Sequence, residues 1–348
     1  FVGGGDYSAG ETGTYPQFES HQRYAGVTTK VITAHMITAA SVTLVDGFHI
    51  GGSVKYIYDS FSAQQSSDPL GTEGLGVDGP YSADTLLEVS TAGGHIGWGA
   101  GVYVDRWKRA RVGVSYTDNG TFQTSGTGQI TAPELIGGGT PDALIEMEMA
   151  LPPVIHAWVN SDINDRLTVG AGIEYQMWNT CCGTKSGDIF IGVTSEDGDP
   201  LGADPEDGLA LQISDEIYSP RRLWNSTNLA ANASYWLSDK YWIGGRLGYN
   251  QNAVPDYAVS ATNIDFANLG VQVAGRTVLK DKFTLGLSYS KFFLTERNIT
   301  NSAWDVRDPD GTHYVDDRFS PKNPYKASGN GTYGGKVDIV GLRLGMKI

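Results

Sequence analysis

The chain lacks both a long apolar run and an excess of positive charge. No stretch of its 348 residues approaches the roughly 20 consecutive apolar residues that a membrane-spanning helix needs. Its 25 basic and 39 acidic residues give a net charge of −14, which argues against the clustered Lys and Arg that nucleic-acid binding requires. We therefore expect neither a helical membrane protein nor a nucleic-acid partner.

Cysteine and histidine are too few and too scattered for a metal site. Cys181 and Cys182 are adjacent, so they form either a strained vicinal disulfide or two free thiols. No nucleophile elbow, P-loop or zinc-protease motif occurs. The segment 97–101 is vaguely similar to a dinucleotide loop, but it lies inside an alternating strand with no helix after it, which favours close packing in a barrel. We expect no cofactor and no enzymatic activity.

What the chain has instead is period-two alternation along almost its whole length. Phe283, Leu285, Leu287 and Tyr289 point to one side of a predicted strand, and small or polar residues separate them. The excess of glycine and tyrosine, 46 and 18 residues, suits crowded strands with aromatic rims. About eleven strands are predicted, near residues 30–44, 48–63, 84–104, 109–124, 142–160, 167–176, 224–238, 241–250, 263–278, 283–290 and 336–348.

The connections between these strands are alternately short and long. This alternation is typical of an outer-membrane β-barrel with short periplasmic turns and long outer loops. A soluble β-sandwich does not need its long loops on one side only, and its strands are shorter. We therefore predict one all-β domain over residues 1–348, a transmembrane antiparallel up-and-down barrel. The short connections are 45–47, 105–109, 162–166, 238–240 and 280–282; the long ones are 64–84, 125–141, 179–223, 251–262 and 298–335.

Several motifs carry a resemblance to a known family. They include Gly170-Ala-Gly-Ile-Glu-Tyr-Gln-Met-Trp178, Gly248-Tyr-Asn-Gln-Asn-Ala-Val-Pro255 and Leu285-Gly-Leu-Ser-Tyr-Ser290. In this order and spacing the chain, from about residue 15 onward, resembles the long-chain fatty-acid and hydrophobic-compound transporters of the bacterial outer membrane (FadL/TodX type). The resemblance implies a barrel of about fourteen strands plugged by an N-terminal hatch. The predicted strands are then the fourth to the fourteenth, and the hatch and first strands are absent from this chain.

An open sheet of this kind has a physical cost in lipid. Its two edge strands would leave N–H and C=O groups unpaired, at several kcal/mol for each group. We expect either that the native chain is longer at its N-terminus or that a partner chain completes the barrel. The other expected partners are outer-membrane lipid, lipopolysaccharide and a hydrophobic ligand.

The resemblance implies passive uptake of hydrophobic small molecules, such as long-chain fatty acids, across the outer membrane. By parity Arg246 and Lys55 face the lumen, and we predict that they hold a ligand carboxylate. Glu146 and Glu148 are predicted to line the same polar lumen rather than to act in acid–base catalysis. Aromatic residues of the outer loops are predicted to capture the ligand, the alternative being that they only pack the loops; they are Phe292, Phe293, Trp304, Tyr314, Phe319 and Tyr325.

Two further readings stay open. Asp308, Asp310, Asp316 and Asp317 are weak candidates for Ca²⁺ ligands, because carboxylates suit that ion but their spacing does not match an EF-hand. A solvated acidic loop is the alternative. The long connection 298–335 also allows a different function, that of a structural barrel that recruits partners through its loops without transport.

Overall fold

The structure is a computed structural model that describes residues 2–3, 28–67, 85–131, 142–179, 189–195, 216–219, 221–259, 263–279, 283–302 and 331–346. The all-β antiparallel fold predicted from the sequence is confirmed. A single turn of 3-10 helix occurs at Asp256–Ala258, and no helix in the described ranges is long and apolar enough to cross a membrane. The strands are β1 (Val2–Gly3), β2 (Thr28–Val45), β3 (Phe48–Ser67), β4 (Thr85–Trp107), β5 (Ala110–Asp118), β6 (Thr121–Thr131), β7 (Asp142–Ala150), β8 (Val154–Asp162), β9 (Leu167–Gln176), β10 (Ile189–Thr194), β11 (Glu216–Ser219), β12 (Ser226–Trp236), β13 (Tyr241–Asn250), β14 (Asn268–Leu279), β15 (Phe283–Ile299) and β16 (Gly331–Met346).

Eleven of these strands form the wall of the barrel. Their order is β2, β3, β4, β5, β8, β9, β12, β13, β14, β15, β16, and each pairs antiparallel with its neighbours. The predicted short turns at 45–47, 105–109, 162–166 and 238–240 lie at one end, where Gly47 takes a positive φ of 71°, and the one at 280–282 lies outside the described residues. A Cβ at that position would come 2.6 Å from the backbone of Arg106, so the turn requires glycine. Within the described ranges β16 pairs with β15 alone, and β2 has only the two-residue β1 besides β3.

Three neighbouring wall strands, β5, β8 and β9, end at an interruption, and beyond it β6, β7 and β10 take their places in the same order. Along β4, residues Trp98–Trp107 pair with β5, whereas Leu86–Ala92 pair with β6, so β5 and β6 follow one another along the same edge. In the same way β7 and β8 follow one another, separated by residues 151–153. Beyond the interruption β6, β7, β10 and β11 continue from β4 as a second sheet, which we call the outer sheet.

The sequence prediction was wrong at these interruptions. Residues 109–124 and 142–160 were each expected to be one strand, and β10 and β11 lie in what was expected to be a loop. The first interruption contains Gly120, whose φ is +71°. The second contains Pro152 and Pro153, which have no N–H to donate to a ladder.

The two faces of β4 exchange character along the strand. In the wall, Ile96, Trp98 and Val102 point outward and are exposed, and glycines alternate with them on the inner face. Above the interruption Glu88 points outward, whereas Leu87 and Val89 lie on the inner face and pack against a buried apolar cluster. Apolar side chains on the outward face of a strand are stable only in contact with lipid. Apolar side chains on the inner face are the usual arrangement of a sheet whose outer face is in water. The exchange therefore marks the outer surface of the membrane.

The outward face of β15 and β16 carries an apolar band followed by a polar row. Leu285, Leu287, Val340, Leu342 and Leu344 form a continuous exposed apolar band there. One row further from the short turns, Asp338 accepts hydrogen bonds from the hydroxyl of Tyr289 and, at 3.2 Å, from the ammonium of Lys291.

Candidate functional site

The inner face of the wall is lined mainly by small and polar residues, and several glycines leave room for neighbouring rings. A Cβ at Gly113 would lie 2.6 Å from the indole of Trp158, and one at Gly270 would lie 2.7 Å from the ring of Phe292. The rings lie flat against the wall because the glycines carry no side chain. This arrangement keeps the lumen open.

An aromatic ladder crosses the inner face near the short-turn end. The ring centroids of His49 and Tyr103 are 5.4 Å apart, and those of Tyr103 and Trp158 are 5.7 Å apart. The ladder borders a cavity of about 690 Å³, within the range of small-molecule sites. Its floor is made of small residues, including Ser41, Gly51, Gly101 and Ser115.

Most charged groups of the lumen are paired within the wall. The guanidinium of Arg111 donates to the carboxylate of Asp162 at 2.7 Å, and Thr168 donates to the same oxygen at 2.7 Å. Glu174 accepts hydrogen bonds from the side chains of Asn228 and Gln176. These charged side chains are therefore already stabilised by partners within the wall.

Arg246 is different. It lies on the inner face of β13, directly opposite Asn232 and Gln272, and it is exposed. In the part of the chain that the structure describes, its guanidinium has no hydrogen-bond or ion-pair partner, and the same holds for Arg343 nearer the short turns. The prediction that Arg246 faces the lumen is confirmed, and its charge is available to a ligand.

Lys55 also faces inward, as predicted, but its ammonium is buried and already bound. It donates to the side-chain oxygen of Asn119 at 2.7 Å. The amide nitrogen of Asn119 donates to the carbonyl of Pro152 at 3.1 Å. Asn119, which lies between β5 and β6, therefore links Lys55 to the segment between β7 and β8.

A buried acid is connected to this lysine through Asn119 and His95. Asp59 is 2% exposed and accepts a hydrogen bond of 2.8 Å from the hydroxyl of Thr33. Its other oxygen is 3.2 Å from Nδ1 of His95, an ionic contact whose angles do not make it a hydrogen bond. The second ring nitrogen of His95 is 3.0 Å from the carbonyl oxygen of Asn119. The junction of wall and outer sheet is thus a buried polar network.

Two apolar clusters lie at the loop end of the barrel, above the polar lumen. The first, on the inner face of the outer sheet, consists of Ile130, Ala143, Ile145 and Val193. The second joins the connection 251–267 to the ends of β12 and β15; its buried members are Leu223, Ala253, Val254, Ala258, Val259 and Ile299. Both clusters are buried, so they stabilise the loop end of the barrel.

Arg297 holds the second cluster in place. Its guanidinium is buried and donates to the carbonyl oxygens of Val254 and Asp265, each at 2.9 Å, and to the carboxylate of Asp256 at 2.6 Å. The carboxylate of Asp265 accepts the backbone N–H groups of Ala253 and Val254. Sequence reasoning missed Arg297, because its partners lie in a connection about 30 to 45 residues away along the chain.

Asp265 gives this connection a pH dependence. Burial raises the pKa of its carboxyl above the ordinary value, against the opposing effects of two backbone N–H groups and Arg297. The carboxyl of Asp265 therefore binds its proton more tightly when the connection is packed than when the connection is detached. Its stability is fully present below the ordinary pKa and is lost as the pH rises through the raised pKa. Proteolytic cleavage within residues 251–267 should accelerate over that interval, and Asp265→Asn should remove the dependence; an unchanged pH profile in the variant would contradict this assignment.

The remaining predicted residues have different outcomes. Phe292 and Phe293 were expected in a loop, but both lie in β15, the first on the inner face and the second on the outer face, because the strand continues to Ile299. Glu146 and Glu148 were expected in the lumen, but they lie on the exposed face of the outer sheet. Trp304, Tyr314, Phe319, Tyr325 and the candidate calcium ligands Asp308, Asp310, Asp316 and Asp317 lie outside the described residues, as do Cys181 and Cys182.

The family follows from comparison with known proteins. A model of the family described as "outer membrane protein transport protein (OMPP1/FadL/TodX)" matches residues 6–303, most of the chain. The chain belongs to this family. Like other members of the OMPP1/FadL/TodX family, it is an outer-membrane transport protein, so the short turns are periplasmic and the long connections are extracellular.

Solved structures agree on the fold. A FadL homologue from Pseudomonas aeruginosa has a TM-score of 0.64 at 16% identity, over 93% of this chain and 68% of that one. The toluene transporter TbuX of Ralstonia pickettii has a TM-score of 0.58 at 13% identity, over 92% and 68%. The toluene transporter TodX of Pseudomonas putida has a TM-score of 0.57 at 16% identity, over 86% and 73%. Among curated proteins, none matches the chain.

Proposed function

We propose that the protein mediates passive uptake of hydrophobic small molecules, such as long-chain fatty acids, across the bacterial outer membrane. Apolar residues pack the extracellular end of the barrel above the lumen, where a hydrophobic solute would arrive. Below them the lumen offers a cavity of about 690 Å³ beside an aromatic ladder. Two of the structural relatives are described as toluene transporters, which is consistent with an apolar cargo.

The observation that carries the proposal for an acidic cargo is the free charge of Arg246. Two other lumen cations are occupied, Arg111 by Asp162 and Lys55 by Asn119, whereas Arg343, also without a partner in the described residues, lies nearer the periplasmic turns. A guanidinium can bind a carboxylate through two parallel hydrogen bonds, which fixes the ligand's orientation. Lys55 was predicted to share this role, and it stays a prediction, but Arg246 is the better placed of the two.

Arg246→Ala is expected to weaken fatty-acid binding about tenfold, since a hydrogen bond to a charged group contributes about 1.5–3 kcal/mol. Binding of the corresponding fatty alcohol should not change, because it has no carboxylate. Affinities are measured by calorimetry on protein extracted from outer membranes.

Arg343→Ala is the matched control, because it removes an inward arginine at another level of the same lumen. It should leave fatty-acid affinity within about twofold of the wild type. Equal losses for acid and alcohol, or for both arginine variants, would contradict the role of Arg246. Absence of hydrophobic ligand binding in all forms would favour the alternative, a barrel that recruits partners through its loops.

A further inference from the structure

A shallow apolar groove runs over the outward, lipid-facing side of the barrel. It crosses β12 to β15 close to the periplasmic turns and has a volume of about 820 Å³. Its floor includes Ala233, Gly245 and Gly275, which lie on three adjacent strands. Taller side chains surround this floor; they include Tyr235, Ile243, Leu285, Leu287 and Tyr289.

The floor of the groove is low because of its glycines. A Cβ at Gly245 would have its nearest neighbour at 3.6 Å, and one at Gly275 would have its nearest neighbour at 3.9 Å, in both cases a backbone oxygen. Side chains at these positions would therefore project into unoccupied space. The groove exists because these positions of the apolar band carry no side chain, whereas the surrounding positions do.

Its depth fits within one leaflet of the membrane. Along β13 it runs from Tyr241 to Gly245, about 15 Å at about 3.3 Å per residue, and a strand tilt of about 40° makes this about 11 Å of membrane depth. The hydrocarbon core of a bilayer is about 30 Å thick, so one leaflet contributes about 15 Å. Since the groove starts at the periplasmic turns, it lies at the depth of the acyl chains of the periplasmic leaflet.

Charged groups of both signs stand at the periplasmic end of the groove. Arg166 immediately precedes Leu167, and Lys240 immediately precedes Tyr241, the two residues that end the groove. Both cations are exposed, and each is preceded by an exposed carboxylate, Asp165 or Asp239. A zwitterionic head group matches this pattern, with its phosphate on the cations and its ammonium on the carboxylates.

We propose that this groove binds one zwitterionic phospholipid of the periplasmic leaflet, with an acyl chain lying over Gly245 and Gly275. The hydrophobic effect alone does not favour the groove over bulk lipid, because lipid tails are as apolar as leucine. The preference comes from the fit of a chain to the glycine floor and from the head-group contacts with Arg166 and Lys240. The site is separate from the lumen and does not depend on the transported ligand.

The double variant Gly245→Leu/Gly275→Leu tests the acyl-chain contact. Wild-type protein extracted from outer membranes is delipidated, titrated with phosphatidylethanolamine and examined by native mass spectrometry. The wild type should bind one lipid, and the double variant should bind it about tenfold more weakly. Ala231→Leu is the matched control, because Ala231 points outward on β12 outside the groove and should have no effect. Circular dichroism and heat-modifiable gel migration confirm that each variant is folded.

A second variant, Arg166→Ala/Lys240→Ala, tests the head-group contact without filling the groove. It should weaken phosphatidylethanolamine binding and leave the binding of a diacylglycerol, which has no phosphate, unchanged. The proposal is overturned if the delipidated wild type binds no phosphatidylethanolamine in the titration, if it prefers lipid A, or if Ala231→Leu weakens binding as much as the glycine variant. Loss of fatty-acid uptake would bear on the proposed function and not on this site.

Discussion

Replacement of Arg297 by alanine is expected to detach residues 251–267 from the extracellular end while the wall remains folded. The change removes a buried guanidinium that holds Val254, Asp256 and Asp265, and it leaves the half-buried carboxylate of Asp265 without its cation. Removal of one member of a buried pair costs about 3–5 kcal/mol. Hydrogen exchange in this connection should therefore accelerate at least a hundredfold, since about 1.4 kcal/mol corresponds to a factor of ten.

Exchange measured segment by segment separates this local effect from global unfolding. Arg297→Lys keeps the charge but loses the planar fork, and it should give an intermediate rate. Arg246→Ala is the control, because it removes an exposed arginine that has no partner in the described parts of the chain. An equal acceleration across β12 to β16 would mean that Arg297 stabilises the barrel as a whole, contrary to the local role assigned here.

The second large effect is expected at the junction of the wall and the outer sheet. Asn119→Ala removes the acceptor of the buried Lys55 ammonium and also the donor to Pro152. Loss of a buried hydrogen bond to a charged group should destabilise the junction by about 1.5–3 kcal/mol. Lys55→Met in the same background removes that charge and should recover most of the loss, because an apolar side chain of similar volume needs no hydrogen bond.

Urea unfolding of the four forms (wild type, each single variant and the double variant) provides the thermodynamic cycle. The midpoint for Asn119→Ala should be lowest, and that for the double variant should lie nearer the wild type. If the two substitutions are additive, Asn119 and Lys55 do not interact, and the contact of 2.7 Å has no energetic role.

Much of the wall was predictable from residue order alone. Alternation such as that of Phe283–Tyr289 identifies a strand and its two faces, and the short polar turns fix which ends meet. The family comparison confirms the barrel and its outer-membrane location. These features depend on neighbours in sequence, which is why the sequence contains them.

The outer sheet was missed because a local interruption reverses the parity of a strand. In β8 the even-numbered His156, Trp158 and Asn160 face inward, and the same parity carried back through Pro152 places Glu146 inward. The interruption at 151–153 shifts the alternation by one, so that Ile145 and Met147 face inward instead. A shift of one residue moves every following side chain to the opposite face.

The inward direction of Arg246 followed from its alternation in β13, but its lack of a partner did not. Whether a lumen cation is free to bind a ligand depends on whether a partner from a strand distant in sequence lies beside it. Lys55 illustrates the difference: its partner Asn119 is 64 positions away in sequence, and no local pattern relates the two. The candidate site was therefore predictable in residue type and direction, and the structure was needed to distinguish the free cation from the bound one.

The segments between the wall and the outer sheet differ in length, and this difference determines where the chain tolerates insertions. The connecting segment is shortest beside β4, at residues 119–120, and it is longer at 151–153 and longest at 177–188. Insertions at Asn119 would disrupt a buried network, whereas lengthening an existing loop costs little entropy. An epitope tag or a fused domain is therefore best placed in this longest connection beyond Asn179, since Met177 and Asn179 are hydrogen-bonded and Trp178 packs against the second cluster, and variation in length among natural relatives should concentrate there.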